Sequence, residues 1–460
     1  MVVIERMTVR EAGYLRLERT GIPATIGWAA VLDRSFDDPR ETLEALRCAV
    51  GHQLGGLPRL RQRVKALRPG LGLPIWIDDP DFRIARHVHA VALSETAAER
   101  DLEHVVEELF ATPVDLSKPL WDLWLVTGLS QQRVAIVFRL HHAVADGIAA
   151  AAIATALLAP AAEVARPQSR QPRLEPSAAA LLVDNVRWRL STLAAVARPA
   201  RHPLRTVRRA VELAMQLRDL WSRNRGTSGT SLNRPLGCSR RLAVVDVPLS
   251  AVKAVGHQVG ATVNDVLLTA VAGGLRGLLE ARGEPITGPL HASEGVSLRS
   301  ADDTSASNQA GGMLVPLHAD VSDPMQRLRR IAEATRALKA AHATPAVVGI
   351  LDSPFLPAAL TSFFERRLRS QTLVQTYVAN VPGPTQPLLV LGTSLRRLIP
   401  IVPLMGNVTV VVGAASYVDR LVIGVRSDAA AVPDVGAFVD GMQATLNRLG
   451  AGVKDLASRT

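Results

Sequence analysis

The sequence predicts an α/β protein of two domains, and three observations lead there. Its 460 residues exceed what one hydrophobic core usually organises. Helix-like and strand-like stretches alternate through the first third of the chain. The periodicity then breaks and resumes in the second half, as expected of two units and a connector. In order, Leu102, Val105, Val106 and Leu109 recur at helical spacing within residues 101–110, and residues 134–140 form an apolar strand. A Pro-, Arg- and Ala-rich stretch at 161–176 and the GTSG at 226–229 bracket the connector. Within it Val211, Ala214, Met215, Leu217, Leu220 and Trp221 recur at helical spacing among arginines, the pattern of an amphipathic helix. Beyond it residues 241–247 read as a strand, 263–279 as a helix, and 314–317 and 408–412 as strands. The predicted units are 1–165, the connector 166–231, and 232–460.

Composition removes several classes of function. Hydrophobic residues at 48% and charged residues at 21% describe a globular chain rather than a disordered or fibrous one. With 4% aromatics, a stacking surface for single-stranded nucleic acid is hard to assemble. Cys48 and Cys238 stand apart from each other and from any Cys/His cluster, so neither a disulfide framework nor a thiolate zinc site is indicated and a cytoplasmic location is expected. Residues 1–10 carry Glu5, Arg6 and Arg10 without an apolar core, so no secretory signal is expected. The uncharged run at 148–162 is interrupted by Pro160 and falls short of the about 20 residues that a spanning helix needs. The net charge of +11 is concentrated in residues 187–225, where ten arginines face only Glu212 and Asp219. Because only five of the 53 basic residues are lysine, part of the arginine excess reflects coding bias, and nucleic acid is not an expected partner.

The densest chemical signal is His141-His142-Ala143-Val144-Ala145-Asp146-Gly147, entered from the alternating strand Val134-Ala135-Ile136-Val137-Phe138-Arg139. Strand alternation sends adjacent side chains to opposite faces, so one histidine can face a cavity while the other anchors the strand end. Asp146-Gly147 supplies a turn, and its carboxylate can fix local geometry or pair with a distant arginine. The arrangement suits a histidine held as general base. Buried histidines satisfied by backbone carbonyls are the alternative. A metal site of His141, His142 and Asp146 fits poorly, because adjacent strand residues diverge. No G-x-S-x-G elbow, G-x-G-x-x-G or P-loop occurs, which disfavours a serine acyl-enzyme, a dinucleotide and an NTP.

HHAVADG resembles the HHxxxDG signature of the CoA-dependent acyltransferase superfamily, in particular its bacterial wax ester synthase/diacylglycerol acyltransferase branch. Further segments are similar to that branch in its order: Trp76-Ile77-Asp78-Asp79-Pro80-Asp81-Phe82, Pro119-Leu120-Trp121, Thr262-Val263-Asn264-Asp265-Val266, Val296-Ser297-Leu298-Arg299, Ser307-Asn308-Gln309 and Asn380-Val381-Pro382-Gly383-Pro384. Two departures stand out. Thr8-Val9-Arg10-Glu11-Ala12 replaces a Leu-Ser-Pro-x-Asp-like opening, and Gly295 replaces the usual Pro.

The resemblance implies two acyltransferase-like domains with mixed sheets joined by the basic helical connector. It also implies transfer of a fatty acyl group from acyl-CoA to the hydroxyl of diacylglycerol or a long-chain alcohol. On that pattern His142 is general base and acid, His141 shapes the site, and Asp146, followed by Gly147, is structural and bridged to Arg299. Asn264 would contact the oxyanion or His142, with Asp265 supporting it; its alternative is the first turn of a helix capped by Thr262 and Asp265. Pro119, Leu120 and Trp121 would line the acyl channel, or else belong to the core. Acyl-CoA is a substrate, and neither a cofactor nor a metal is expected. The basic amphipathic connector implies peripheral attachment to the inner face of the membrane or to lipid droplets. A related acyltransferase with another acceptor, or a catalytically inert lipid-binding relative, is the alternative reading.

Overall fold

Long apolar runs such as residues 134–138 are strands covered on both faces, and two mixed six-stranded sheets account for them. The computed structural model describes residues 4–18, 21–33, 38–68, 71–158, 175–197, 229–297, 310–340 and 366–450, together with Val211, Met215, Arg218 and Ser222. The first half runs β1 (Glu5–Arg6), α1 (Val9–Glu18), β2 (Thr25–Leu32), α2 (Pro39–Gln53), β3 (Gln62–Lys65), β4 (Ile75–Asp78), β5 (Val88–Ala97), α3 (Glu99–Ala111), β6 (Trp121–Leu129), β7 (Arg133–His141) and α4 (Gly147–Leu158). After α5 (Ala178–Ala197) come β8 (Arg240–Pro248), α6 (Leu249–Val259), α7 (Val263–Ala281), β9 (His291–Ser297), β10 (Ala310–Pro316) and α8 (Pro324–Ala340). The chain continues with β11 (Thr376–Val381), β12 (Leu389–Val390), β13 (Thr393–Ile401), β14 (Val410–Tyr417), β15 (Arg420–Asp428) and α9 (Val435–Arg448).

The first sheet has the order β12-β13-β2-β7-β6-β5, with only β5 and β6 parallel. On β7, Ile136, Phe138 and Leu140 pack with Ile153 and Leu157 of α4, while Ala135 and Val137 face Val106 and Phe110 of α3. A strand buried on both faces reads as continuous rather than alternating hydrophobicity, as β7 does. The second sheet has the order β10-β9-β11-β14-β15-β8, with parallel pairs β9–β11 and β11–β14. One of its faces is covered by α6, α7, α8 and α9.

The division of the chain is less simple than the sequence predicts. β13 pairs antiparallel with β2, so residues 389–401, assigned from sequence to the second unit, complete the first unit's sheet. The two sheets are tied where this crossing strand passes. Arg426, 3% exposed, donates to the carbonyls of Phe110 at 2.8 Å and Val402 at 3.2 Å. Burial pushes its guanidinium down to about 9, and these carbonyls satisfy its donors.

α5 is the described part of the connector. It rests on the small sheet β1-β4-β3, with Leu181 against Ile75 and Ile77 and Asp184 accepting from Arg6 at 2.7 Å. Its outer face exposes Leu182, Val183, Val186 and Leu190. In the second amphipathic stretch Val211 and Met215 are helical and exposed; Ala214, Leu217, Leu220 and Trp221 lie outside the described residues.

α7 and α9 approach so closely that a Cβ on Gly273 would lie 1.9 Å from Thr445 Oγ1 and 3.0 Å from the Gly441 carbonyl. Overpacking of this kind costs about 1–3 kcal/mol. Gly273→Ala should lower the thermal unfolding midpoint by several degrees while leaving the far-ultraviolet circular dichroism unchanged, which a paired melting experiment checks.

Candidate active site

The two histidines sit where β7 ends, and the chain reverses there for specific reasons. His141 is the last strand residue, paired with Thr25 of β2. His142 opens the turn, its backbone N–H donating to the Ala24 carbonyl at 2.8 Å. The Val144 N–H returns to the His141 carbonyl at 2.9 Å. Asp146 then caps α4, its Oδ1 accepting from the Ala149 N–H at 2.9 Å, so the carboxylate four residues after His142 terminates the turn and starts the helix. Gly147 opens that helix, and a Cβ there would meet Val381 Cγ2 of β11 at 3.5 Å. The histidine turn therefore abuts the second sheet.

His141 is fully buried. Its Nδ1 accepts from the Ala143 N–H at 3.0 Å, which requires the ring proton to sit on Nε2. That nitrogen lies 3.1 Å from Oε2 of Glu18, itself 8% exposed, a close polar approach without hydrogen-bond geometry. Glu18 is carried by α1, whose start is a reciprocal capping box: the Thr8 N–H donates to Glu11 Oε2 at 2.8 Å and the Glu11 N–H to Thr8 Oγ1 at 3.1 Å. The divergent opening 8–12 thus builds a regular helix start.

His142 is only half-buried, so its ring can be reached. Tyr14, one helical turn before Glu18, stacks on it with ring centroids 4.2 Å apart and 10° between planes. Burial pushes the His142 imidazole down from 6.5 to about 4, opposed by a hydrogen bond to its own backbone and by Asp146, while His141 and Arg10 add to the depression. A neutral, accessible imidazole of fixed orientation can accept a proton from a bound hydroxyl and return it to a leaving group.

The other predicted residues scatter. Asn264 lies in the first turn of α7, behind the reciprocal cap of Thr262 and Asp265. Its Nδ2 donates to Glu294 Oε1 on β9 at 2.8 Å. Burial holds the Glu294 carboxyl above its ordinary range. Asp265 is buried and accepts from Thr262 and Thr335, and so supports the helix. Pro119, Leu120 and Trp121 are buried. Trp121 is 0% exposed, donates from Nε1 to the Leu60 carbonyl at 2.7 Å and stacks on His87 at 4.6 Å. Leu120 and Trp121 belong to the core and present no surface to an open channel, because a buried indole needs its N–H satisfied and this one is. Arg299, and with it the expected bridge to Asp146, lies outside the described residues, as do residues 307–309. Among the described residues no cluster of three His, Cys, Asp or Glu side chains could hold a metal ion, and both cysteines are exposed and free.

The sequence reading missed Tyr14 and Glu18. The signal for α1 was legible as T-x-x-E at Thr8 and Glu11, with Tyr14 and Glu18 at i, i+4 on one helix face; their meeting with residues 141 and 142 is purely tertiary.

Comparison with known proteins bears on all of this. Residues 7–267 match the family described as the wax ester synthase/diacylglycerol acyltransferase catalytic domain, and residues 306–450 its C-terminal domain. A protein of Mycobacterium tuberculosis strain H37Rv that is named as a probable diacylglycerol O-acyltransferase is 30% identical over 97% of this chain and 96% of its own. A second, from strain CDC 1551, is 28% identical over 97% and 90%. The wax ester synthase/diacylglycerol acyltransferase of Marinobacter aquaeolei VT8 shares the fold at a TM-score of 0.67, with 22% identity and coverage of 97% and 100%. The first condensation domain of the CDA synthetase does so at 0.65, with 16% identity and coverage of 98% and 96%. With both family regions present in the family's order and full-length relatives at this identity, the chain belongs to the wax ester synthase/diacylglycerol acyltransferase family.

Proposed function

We propose that the protein transfers a long-chain acyl group from acyl-CoA to the hydroxyl of diacylglycerol, forming triacylglycerol, and accepts long-chain alcohols as a second acceptor class. The observation that carries this reading is the neutral, half-accessible His142, fixed beside Asp146 at the junction of the two sheets. The names of the mycobacterial relatives favour diacylglycerol as acceptor.

His142 takes the proton of the acceptor hydroxyl as its oxygen attacks the thioester carbonyl. The tetrahedral oxyanion collapses, the carbon–sulfur bond breaks, and the imidazolium returns the proton to the coenzyme A thiolate. Ester and free coenzyme A leave, and no covalent enzyme intermediate is required. Glu18 and His141 hold the strand end from which His142 projects, and Asp146 holds the turn and offsets part of the charge on the imidazolium.

Coenzyme A release from palmitoyl-CoA, measured with diacylglycerol, hexadecanol or no acceptor, tests this. Release should require an acceptor, and His142→Ala should reduce it by about 10²–10⁴-fold. Equal release from the variant would defeat the proposal. Because the base form is needed and burial lowers the imidazole to about 4, the acidic limb of kcat/KM should fall near pH 4 rather than near the ordinary histidine value. Activity should persist at pH 5.5, which a pH–rate profile checks.

Among the described residues no helix is long and apolar enough to cross a membrane. Attachment to a lipid surface is supported by the exposed Leu182, Val183, Val186 and Leu190 on α5 and by Val211 and Met215, interspersed with Arg187, Arg189 and Arg218. An apolar face rimmed by arginines suits an anionic interface. Replacing Val186 and Leu190 together by glutamate should abolish flotation with phosphatidylglycerol-containing liposomes while leaving thermal stability intact.

A further inference from the structure

The stack on His142 carries an inference that rests on, and deepens, the reading of His142 as the base. A histidine ring turns easily about its outer torsion, since sp³–sp² rotamers are broad. Proton transfer, however, requires one ring nitrogen aimed at the acceptor oxygen, and small misplacements are costly. The ring's hydrogen bond to its own backbone constrains that plane at one edge, and a stacked ring constrains it at the face. Tyr14 lies parallel to it at 4.2 Å, on a helix that cannot slide. The Thr8–Glu11 box fixes the start of α1, and Glu18 fixes its end through His141 Nε2 at 3.1 Å and the Val114 N–H at 3.4 Å.

Tyr14 also has a neighbour in the second sheet. Tyr377 of β11 interacts electrostatically with Tyr14, and burial raises its hydroxyl to about 12, so it remains a neutral neighbour. Tyr377 shares a strand face with Ala379 and Val381, and Val381 is the residue against Gly147. The tyrosine ring therefore occupies the seam between the strand end bearing His142 and the sheet opposite.

We infer that Tyr14 is a positioning residue, its ring holding the His142 imidazole in the plane from which it takes the acceptor's proton and shielding one face of it from water. The groups facing His142 are His141 beside it, Asp146 in the following turn, and Arg10 and Tyr14 on α1. Arg10, like His141, disfavours the imidazolium, and Asp146 favours it. The electron-rich face of Tyr14 adds an attraction for the charge once the proton has arrived.

Two variants separate stacking from the hydroxyl and from simple space filling. Tyr14→Phe keeps the ring, and Tyr14→Leu keeps buried apolar volume without a ring that can stack. Each would be studied as the full chain, by kcat and KM for palmitoyl-CoA and by NMR titration of the His142 ring, assigned with His142→Ala. The phenylalanine variant should keep kcat and the titration midpoint within about twofold of the native enzyme. The leucine variant should lose about tenfold or more in kcat, with KM little changed, and its His142 midpoint should rise toward the ordinary value as water reaches the exposed face. A leucine variant with native kcat and native midpoint overturns the inference. So does a phenylalanine variant that falls as far as the leucine one, since the hydroxyl would then be the acting group. Should the native protein release no coenzyme A, the reading of His142 as a base fails, and the titration shift still decides whether Tyr14 sets its environment.

Discussion

The approach of Glu18 Oε2 to His141 Nε2 is the constraint on which the rest of the site depends. Together with the stack of Tyr14 on His142, it joins the first helix to the end of a central strand of the first sheet. The tautomer of the fully buried ring is set from its other side, where Nδ1 accepts from the Ala143 N–H and leaves the ring proton on Nε2, toward Glu18. A buried carboxylate and imidazole left without each other would each face a desolvation cost of several kcal/mol, so neither can be removed alone without disturbing the turn. From that anchor the geometry propagates one residue forward to His142 and one helical turn back to Tyr14, and those two rings then stack.

The second constraint is the strand that crosses. Because β13 adds to the first sheet while β14 and β15, which follow it in the chain, lie in the second, the two sheets are not independent bodies on a tether. Arg426 and the close pass of Gly424 beneath the Pro400 carbonyl, where a Cβ would lie 2.2 Å away, make the junction dense. A dense junction is what allows Val381 and Tyr377 to serve as a wall for a turn that belongs to the other sheet. The turn at 382–384 has the same character, since a Cβ on Gly383 would lie 2.0 Å from the Ser416 carbonyl and only glycine fits.

Much of this was legible in the sequence. The apolar run of β7, the reciprocal cap at Thr262 and Asp265, and the helix that follows it come from local patterns, and local patterns suffice for them. The strand expected at 314–317 proved to lie mostly earlier, at Ala310–Pro316, because its glycines mask its start. The crossing of β13 was not legible, since strand partners separated by hundreds of residues leave no mark in periodicity. At the site, the histidines and Asp146 announce themselves by type and spacing. Glu18 does not, because a glutamate at the end of an amphipathic helix reads as solvated, and only the tertiary contact reveals it as buried. Asn264 pairs with Glu294 on β9, a partner 30 residues away that spacing does not announce.

A base held near 4 is, on pKa matching alone, a poor choice for activating an alcohol, since general bases work best with a pKa near the operating pH. The proposed chemistry turns that argument around. The acid that matters second is the imidazolium, and a proton held loosely is transferred readily to a departing thiolate. The depression arises mainly from exclusion of water, and water is the nucleophile that competes with the lipid alcohol for the thioester. In that proposal, the same packing that weakens the base strengthens the interactions inside the site and would shield the acyl donor from hydrolysis. Asp146, capping α4 four residues from the base, supplies the compensating negative charge when the proton is in transit, and it does so without being able to leave.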